Sequence, residues 1–76
     1  MHILDEIIQS LEGRYLADMR KENFGMARLS QAELAAYRQV RDGIEKDETP
    51  YHHSDERYTY AQAYANAEAM LKAKVH

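Results

Sequence analysis

Apolar residues recur along this chain at intervals of three and four, and two breaks in that rhythm divide it into three segments. Ile3, Leu4, Ile7, Ile8, Leu11, Tyr15 and Met19 fall on one arc at about 100° per residue, which predicts a first helix over residues 3–22. The arc is wide, so this helix is expected to touch two neighbours, both in the same chain or one in a second copy. Gly13 interrupts it, marking a close backbone approach or simply tolerated at about 1 kcal/mol relative to alanine.

The first break is "NFGMAR", where Asn23 and Gly25 suit the left-handed backbone that ends helices. Phe24 and Met26 are expected to tuck beneath this joint; exposed, they would instead form a sticky patch. Ser30 reads as the N-cap of a second helix over residues 31–46. Glu33 completes a capping box, and Leu29 with Leu34 forms a hydrophobic staple. The buried stripe is Leu34, Tyr37, Val40 and Ile44, with Gly43 a point of early fraying.

The second break, "DETPYHHSD", contains Pro50, which cannot continue a helix. Ser54 or Asp55 caps a third helix over residues 54–75, with Asp55 and Glu56 suited to the positive end of its dipole and Lys72 and Lys74 to the other. Its core stripe is Tyr60, Tyr64, Ala67, Leu71 and Val75. Ala61, Ala65 and Ala69 line another side, where a helix has room to approach closely. Short joints favour antiparallel neighbours. The expected fold is therefore all-α, a three-helix up-down-up bundle forming a single domain over residues 1–76.

Length changes this picture in one respect. A chain of 76 residues buries a modest share of its surface and is marginal alone, so completion of the bundle by a homodimer is expected as readily as a monomer. Cysteine is absent, which excludes disulfides and thiolate metal sites and suits a cytoplasmic location. Asp5 and Glu6 lie inside the first apolar stretch with no basic segment before it, so neither a signal peptide nor a membrane span is expected.

The stretch "MRKENFGMARLSQAELA" resembles the opening of helix-turn-helix repressor domains. That likeness implies a turn shortly after "ELA" and then a recognition helix. The chain instead continues "AYRQVRDGIEK", with Tyr37, Arg38 and Gln39 where the turn belongs, and the following residues are acidic. Arg28, Arg38 and Arg41 are the candidate phosphate contacts of this alternative, a DNA-binding regulator with a degenerate helix-turn-helix-like segment. Ten Lys and Arg against thirteen Asp and Glu leave no basic excess, so nucleic acid is the less expected partner.

Other chemistry is sparse. His52 and His53 stand near Glu56, but two or three potential ligands on a joint do not make a rigid metal site. No serine has an evident base partner other than Ser54 beside His53, and no glycine-rich loop offers a phosphate cradle. Neither catalysis nor a metal or other cofactor is expected.

One cluster remains. Between Asp42 and Glu56 the chain carries Asp42, Glu45, Asp47, Glu48, Asp55 and Glu56 against Lys46, with Tyr51 and Tyr58 alongside. Acids speed encounter with a basic protein and tyrosines anchor it. These eight residues are the expected partner-binding site, placed at one end of the bundle. The leading expectation is a small inhibitor or adaptor without catalysis. Phage and plasmid anti-defence proteins, antitoxins and nuclease immunity proteins share this size and charge, an analogy of class alone. A self-assembling helical subunit is the third possibility.

Overall fold

The chain folds as an all-α three-helix bundle in a computed structural model that describes residues 2–75, with side chains described through residue 73. The helices are α1 (Asp5–Arg20), α2 (Phe24–Asp42) and α3 (Ser54–Val75). Val75, expected in the core stripe of α3, and Lys74 have side chains outside the described residues.

Between α1 and α2 lie only three residues. Asn23 N–H bonds the Asp18 carbonyl at 2.8 Å and Glu22 N–H bonds the Met19 carbonyl at 3.1 Å, closing α1 with a Schellman turn. Glu22 takes the left-handed position of that turn, with φ of 58°. Asn23 then caps α2, its side-chain oxygen accepting from the Met26 N–H at 3.5 Å.

So α2 starts seven residues before the expected position, and Ser30 is not its cap. Ser30 lies buried in mid-helix and its hydroxyl donates to Asp18 Oδ2 at 3.3 Å, across to α1. The pattern around Ser30 mimics a capping box because a small polar residue is also what fits a tight contact between helices. Phe24 and Met26 are exposed on the first turn of α2, not tucked under the joint. No atom lies within 4 Å of where a Gly13 Cβ would sit, so that glycine marks no close approach.

At its other end α2 stops at Gly43, with φ of 74°. Ile44 N–H bonds the Gln39 carbonyl at 2.8 Å and Gly43 N–H bonds the Val40 carbonyl at 3.3 Å, a second Schellman turn. Gly43 is thus a stop, and α2 ends at Asp42, four residues short of the expected end. Ile44 falls outside the helix and is exposed instead of completing the buried stripe. Tyr37 to Gln39 remain unbroken helix, so no separate recognition helix exists there.

Seven buried residues make α2 the central helix. It packs against both α1 and α3, while the backbones of α1 and α3 do not approach each other among the described residues. The α1 face is joined antiparallel through Arg38 to Glu12 (2.7 Å), Arg41 to Asp5 (3.4 Å) and Ser30 to Asp18. Leu4, Ile8 and Leu11 fill that interface, with Ile3 and Ile7 partly buried beside them. Met19, at the far end of the arc, is exposed, because α1 has one neighbour and not two.

The direction of α3 departs from the up-down-up expectation. Arg28, near the start of α2, bonds Asp55 and Glu56 in the first turn of α3. Past the far end of α2, the Ile44 carbonyl accepts from Tyr64, and a groove there includes Leu71 and Lys72. Both helices therefore advance the same way. An antiparallel α3 would leave Arg28 about 20 Å from Asp55, the rise of fourteen helical residues. Residues 43–53 are long enough to run back along the molecule, which a short joint is not.

Within α3, Tyr60, Ala63 and Ala67 are buried, whereas Ala65 and Ala69 face outward. The small residues that let α2 approach are thus Ala63 and Ala67. The first bond of α3 runs from the Arg57 N–H to the His53 carbonyl at 3.1 Å, so Ser54 is already its first helical residue.

Candidate protein-binding surface

The returning segment 43–53 forms a strap, and tyrosines of α3 hold it. Tyr60 has no exposed surface. Its hydroxyl donates to Gln39 Oε1 of α2 and accepts from the Asp47 N–H at 2.8 Å. One turn on, the Tyr64 hydroxyl donates to the Ile44 carbonyl at 2.8 Å. Tyr51 of the strap packs on the Tyr60 ring with centroids 5.0 Å apart and a tilt of 36°, within the range favoured by aromatic pairs. Burial, together with Tyr60, Glu56 and Asp47, pushes the Tyr51 phenol above its ordinary pKa.

Local bonds stiffen the strap further. The Asp47 carboxylate accepts from the hydroxyl and the N–H of Thr49, an Asx-turn that holds its pKa below the usual carboxylate value. Tyr51 N–H closes a turn on the Glu48 carbonyl at 3.1 Å around Pro50. A shallow groove of about 380 Å³, lined by Glu48, Thr49, Tyr51, His52 and Arg57, runs beside this turn.

The eight expected binding residues are not gathered at one end. Asp42 and Glu45 stand at the C-terminal end of α2, Asp47, Glu48 and Tyr51 lie along the strap, and Asp55, Glu56 and Tyr58 belong to the first turns of α3, beside Arg28. Because α3 runs parallel to α2, this acidic run spans the length of α2.

Its acids also differ in availability. Arg28 pairs with Asp55 at 3.2 Å and with Glu56 at 2.5 Å, and its guanidinium holds the Asp55 carboxyl below its ordinary pKa. Asp42 pairs with Arg41 at 3.0 Å. Glu48 meets Lys46 at 3.2 Å in an exposed pair, and Glu45 has no ion pair among the described residues. Tyr58 is 70% exposed beside a groove formed with Glu33, Tyr37 and Gln62.

The three candidate phosphate-binding arginines are all engaged: Arg28 by Asp55 and Glu56, Arg38 by Glu12, Arg41 by Asp5 and Asp42. His52 and His53 are exposed, and among the described residues no three His, Asp or Glu side chains converge as metal ligands. Among the described residues no helix is long and apolar enough to cross a membrane.

Two features escaped the sequence reading. One is the pinning of the strap by Tyr60 and Tyr64, whose only sequence signal is their spacing of four on α3. The other is the exposure of Leu16 and Met19 on α1, where Met19 adds to the exposed patch of Phe24 and Met26. Its signal was the local surplus of large apolar residues around a three-residue joint. Compared with protein-family models, curated proteins and solved structures, the chain matches none.

Proposed function

We propose that this chain is a small protein-binding module without catalysis, whose strap presents Glu45 and Glu48 to a basic surface on a larger protein. The observation that carries the reading is the anchoring of this irregular acidic segment at Ile44, Asp47 and Tyr51 by Tyr60 and Tyr64. A segment ordered before contact loses less conformational entropy on binding than a loose one.

Glu45 is free to meet a lysine or arginine. The exposed Lys46–Glu48 pair contributes little on its own and exchanges readily for a partner's cation. Asp55 and Glu56 are part of the fold through Arg28, which narrows the contact to the strap with Tyr58 at its margin. An inhibitor or adaptor in the cytoplasm, of the class that includes anti-defence proteins, antitoxins and immunity proteins, fits this chemistry. The competing proposal of a nucleic-acid regulator is weakened because Arg28, Arg38 and Arg41 each face carboxylates.

The test is a double reversal, Glu45→Lys with Glu48→Lys, which leaves Asp47 and its turn intact. A partner captured from source-cell lysate with the unaltered chain is titrated calorimetrically with both forms at low and high salt. The reversal is expected to weaken binding at least tenfold and to abolish its salt dependence. Equal affinity of the two forms ends this reading. A low-salt gel shift tests the nucleic-acid reading separately.

A further inference from the structure

Among the described residues six large apolar side chains are exposed, and four of them fall near opposite ends of α2. Met19, Phe24 and Met26, at 40–59% exposure, flank the three-residue joint between α1 and α2, a corner that Leu16 does not share because it lies in a groove with Glu12, Gln31, Leu34 and Arg38. Arg20 and Lys21 stand at the same corner beside Glu22, and neither cation has an ion pair among the described residues. The fourth, Ile44, lies in a groove of about 330 Å³ at the other end, with Val40, Tyr64 and Leu71. Glu45, Glu68 and Lys72 all line that groove, two acids against one cation, and neither glutamate has an ion pair among the described residues. Burial first, then Glu68, Tyr60 and Glu45, push the Tyr64 phenol above its ordinary pKa, against a smaller opposing effect of Lys46.

We propose that copies of this chain associate head to tail, with the apolar, basic corner of one seated in the acid-rimmed groove of the next. The two surfaces lie about 27 Å apart, the rise of eighteen residues of α2, so they cannot meet within one molecule. Corner against corner would bring Arg20 and Lys21 of both copies together. Corner against groove sets those cations against Glu45 and Glu68 and covers both apolar surfaces at once. Such a contact is heterologous and propagates unless the rotation between copies closes a ring. The groove is at the small end of ligand-sized clefts and open, which suits a few inserted side chains.

Sedimentation velocity at low salt, from micromolar to near-millimolar protein, tests this with Phe24→Glu at the corner and Ile44→Glu in the groove. Both positions are exposed, and circular dichroism checks that each variant is folded; Met26→Lys and Glu68→Arg serve as second variants for the two surfaces. The unaltered chain is expected to sediment faster as concentration rises, beyond the value for a dimer. Each variant alone is expected to associate at least tenfold more weakly. An equimolar mixture of the two, each keeping one intact surface, is expected to stop at a dimer. A monomer at every concentration overturns the proposal. So does an Ile44→Glu variant that associates like the unaltered chain, which would assign the corner to a symmetric dimer or to another partner. A mixture that stays monomeric while the unaltered chain assembles also rejects it.

Discussion

The buried hydroxyl of Tyr60 receives the backbone N–H of Asp47 at 2.8 Å, and this bond ties the strap to α3. The same hydroxyl donates to Gln39 of α2, so a single oxygen joins three parts of the chain. Tyr60→Phe keeps the ring against Tyr51 but strips both partners of their bond. The expected cost is about 1–3 kcal/mol in denaturant unfolding, the penalty for leaving buried polar groups unpaired. Amide exchange at Asp47 should accelerate, while amides in mid-α1 change only with global stability. Unchanged exchange at Asp47 would show that the strap is held elsewhere.

Glu22 adopts a backbone conformation that costs a non-glycine residue about 1–2 kcal/mol. Glu22→Gly relieves it at the end of α1 and is expected to stabilise the fold by about 0.5–1 kcal/mol, after glycine's larger unfolded-state entropy is counted. Gly43→Ala, at φ of 74°, is expected to destabilise by about 1 kcal/mol, although space for a Cβ is open there. Opposite signs for the two substitutions in matched thermal melts are the outcome to look for.

Two serine readings are separable by a double-mutant cycle. If Ser30 were a helix cap with Glu33, Ser30→Ala and Glu33→Ala would be coupled. The structure instead bonds Ser30 to Asp18, so coupling is expected with Asp18→Ala and not with Glu33→Ala. Asn23→Ala, which removes the cap of α2, is expected to cost about 1 kcal/mol.

Acid should loosen the molecule. Asp5, Asp47 and Asp55 all have pKa values depressed in the folded chain: Asp5 chiefly by the His2 N–H, Asp47 by Thr49 and Asp55 by Arg28. A depressed carboxylate contributes stability that is present above its unfolded pKa, about 3.9, and is lost as pH falls through the lower folded value. Urea midpoints are therefore expected to hold from pH 7 to about pH 5 and to decline below pH 4. Asp55→Asn should flatten that decline. A midpoint independent of pH down to 2 would contradict the ion pairs between α2 and α3.

Residues 54–75 read as one helix from sequence because their alanine content and three-four periodicity are local properties. The same holds for most of α1 and for the continuity of α2 through Tyr37 and Gln39. The start of α2 was misread because Ser30 and Glu33 satisfy a local capping pattern, while the polar partner of Ser30 lies twelve residues away. The acidic run was legible as composition, but its ion pairs were not. Arg28 reaches Asp55 and Glu56 only because the strap carries the chain back before α3 begins.

The order of side chains along the chain alone determined that this protein is built of three helices, where α3 starts, and that an acidic stretch with tyrosines separates the last two. Each depends on residues within a turn or two of one another. Only the tertiary structure decided that α3 runs with α2, that Tyr60 and Tyr64 hold the strap, and that the apolar corner is left uncovered. Helical periodicity specifies which face is buried but not which way a neighbour points, and that direction is settled by contacts between residues twenty or more apart.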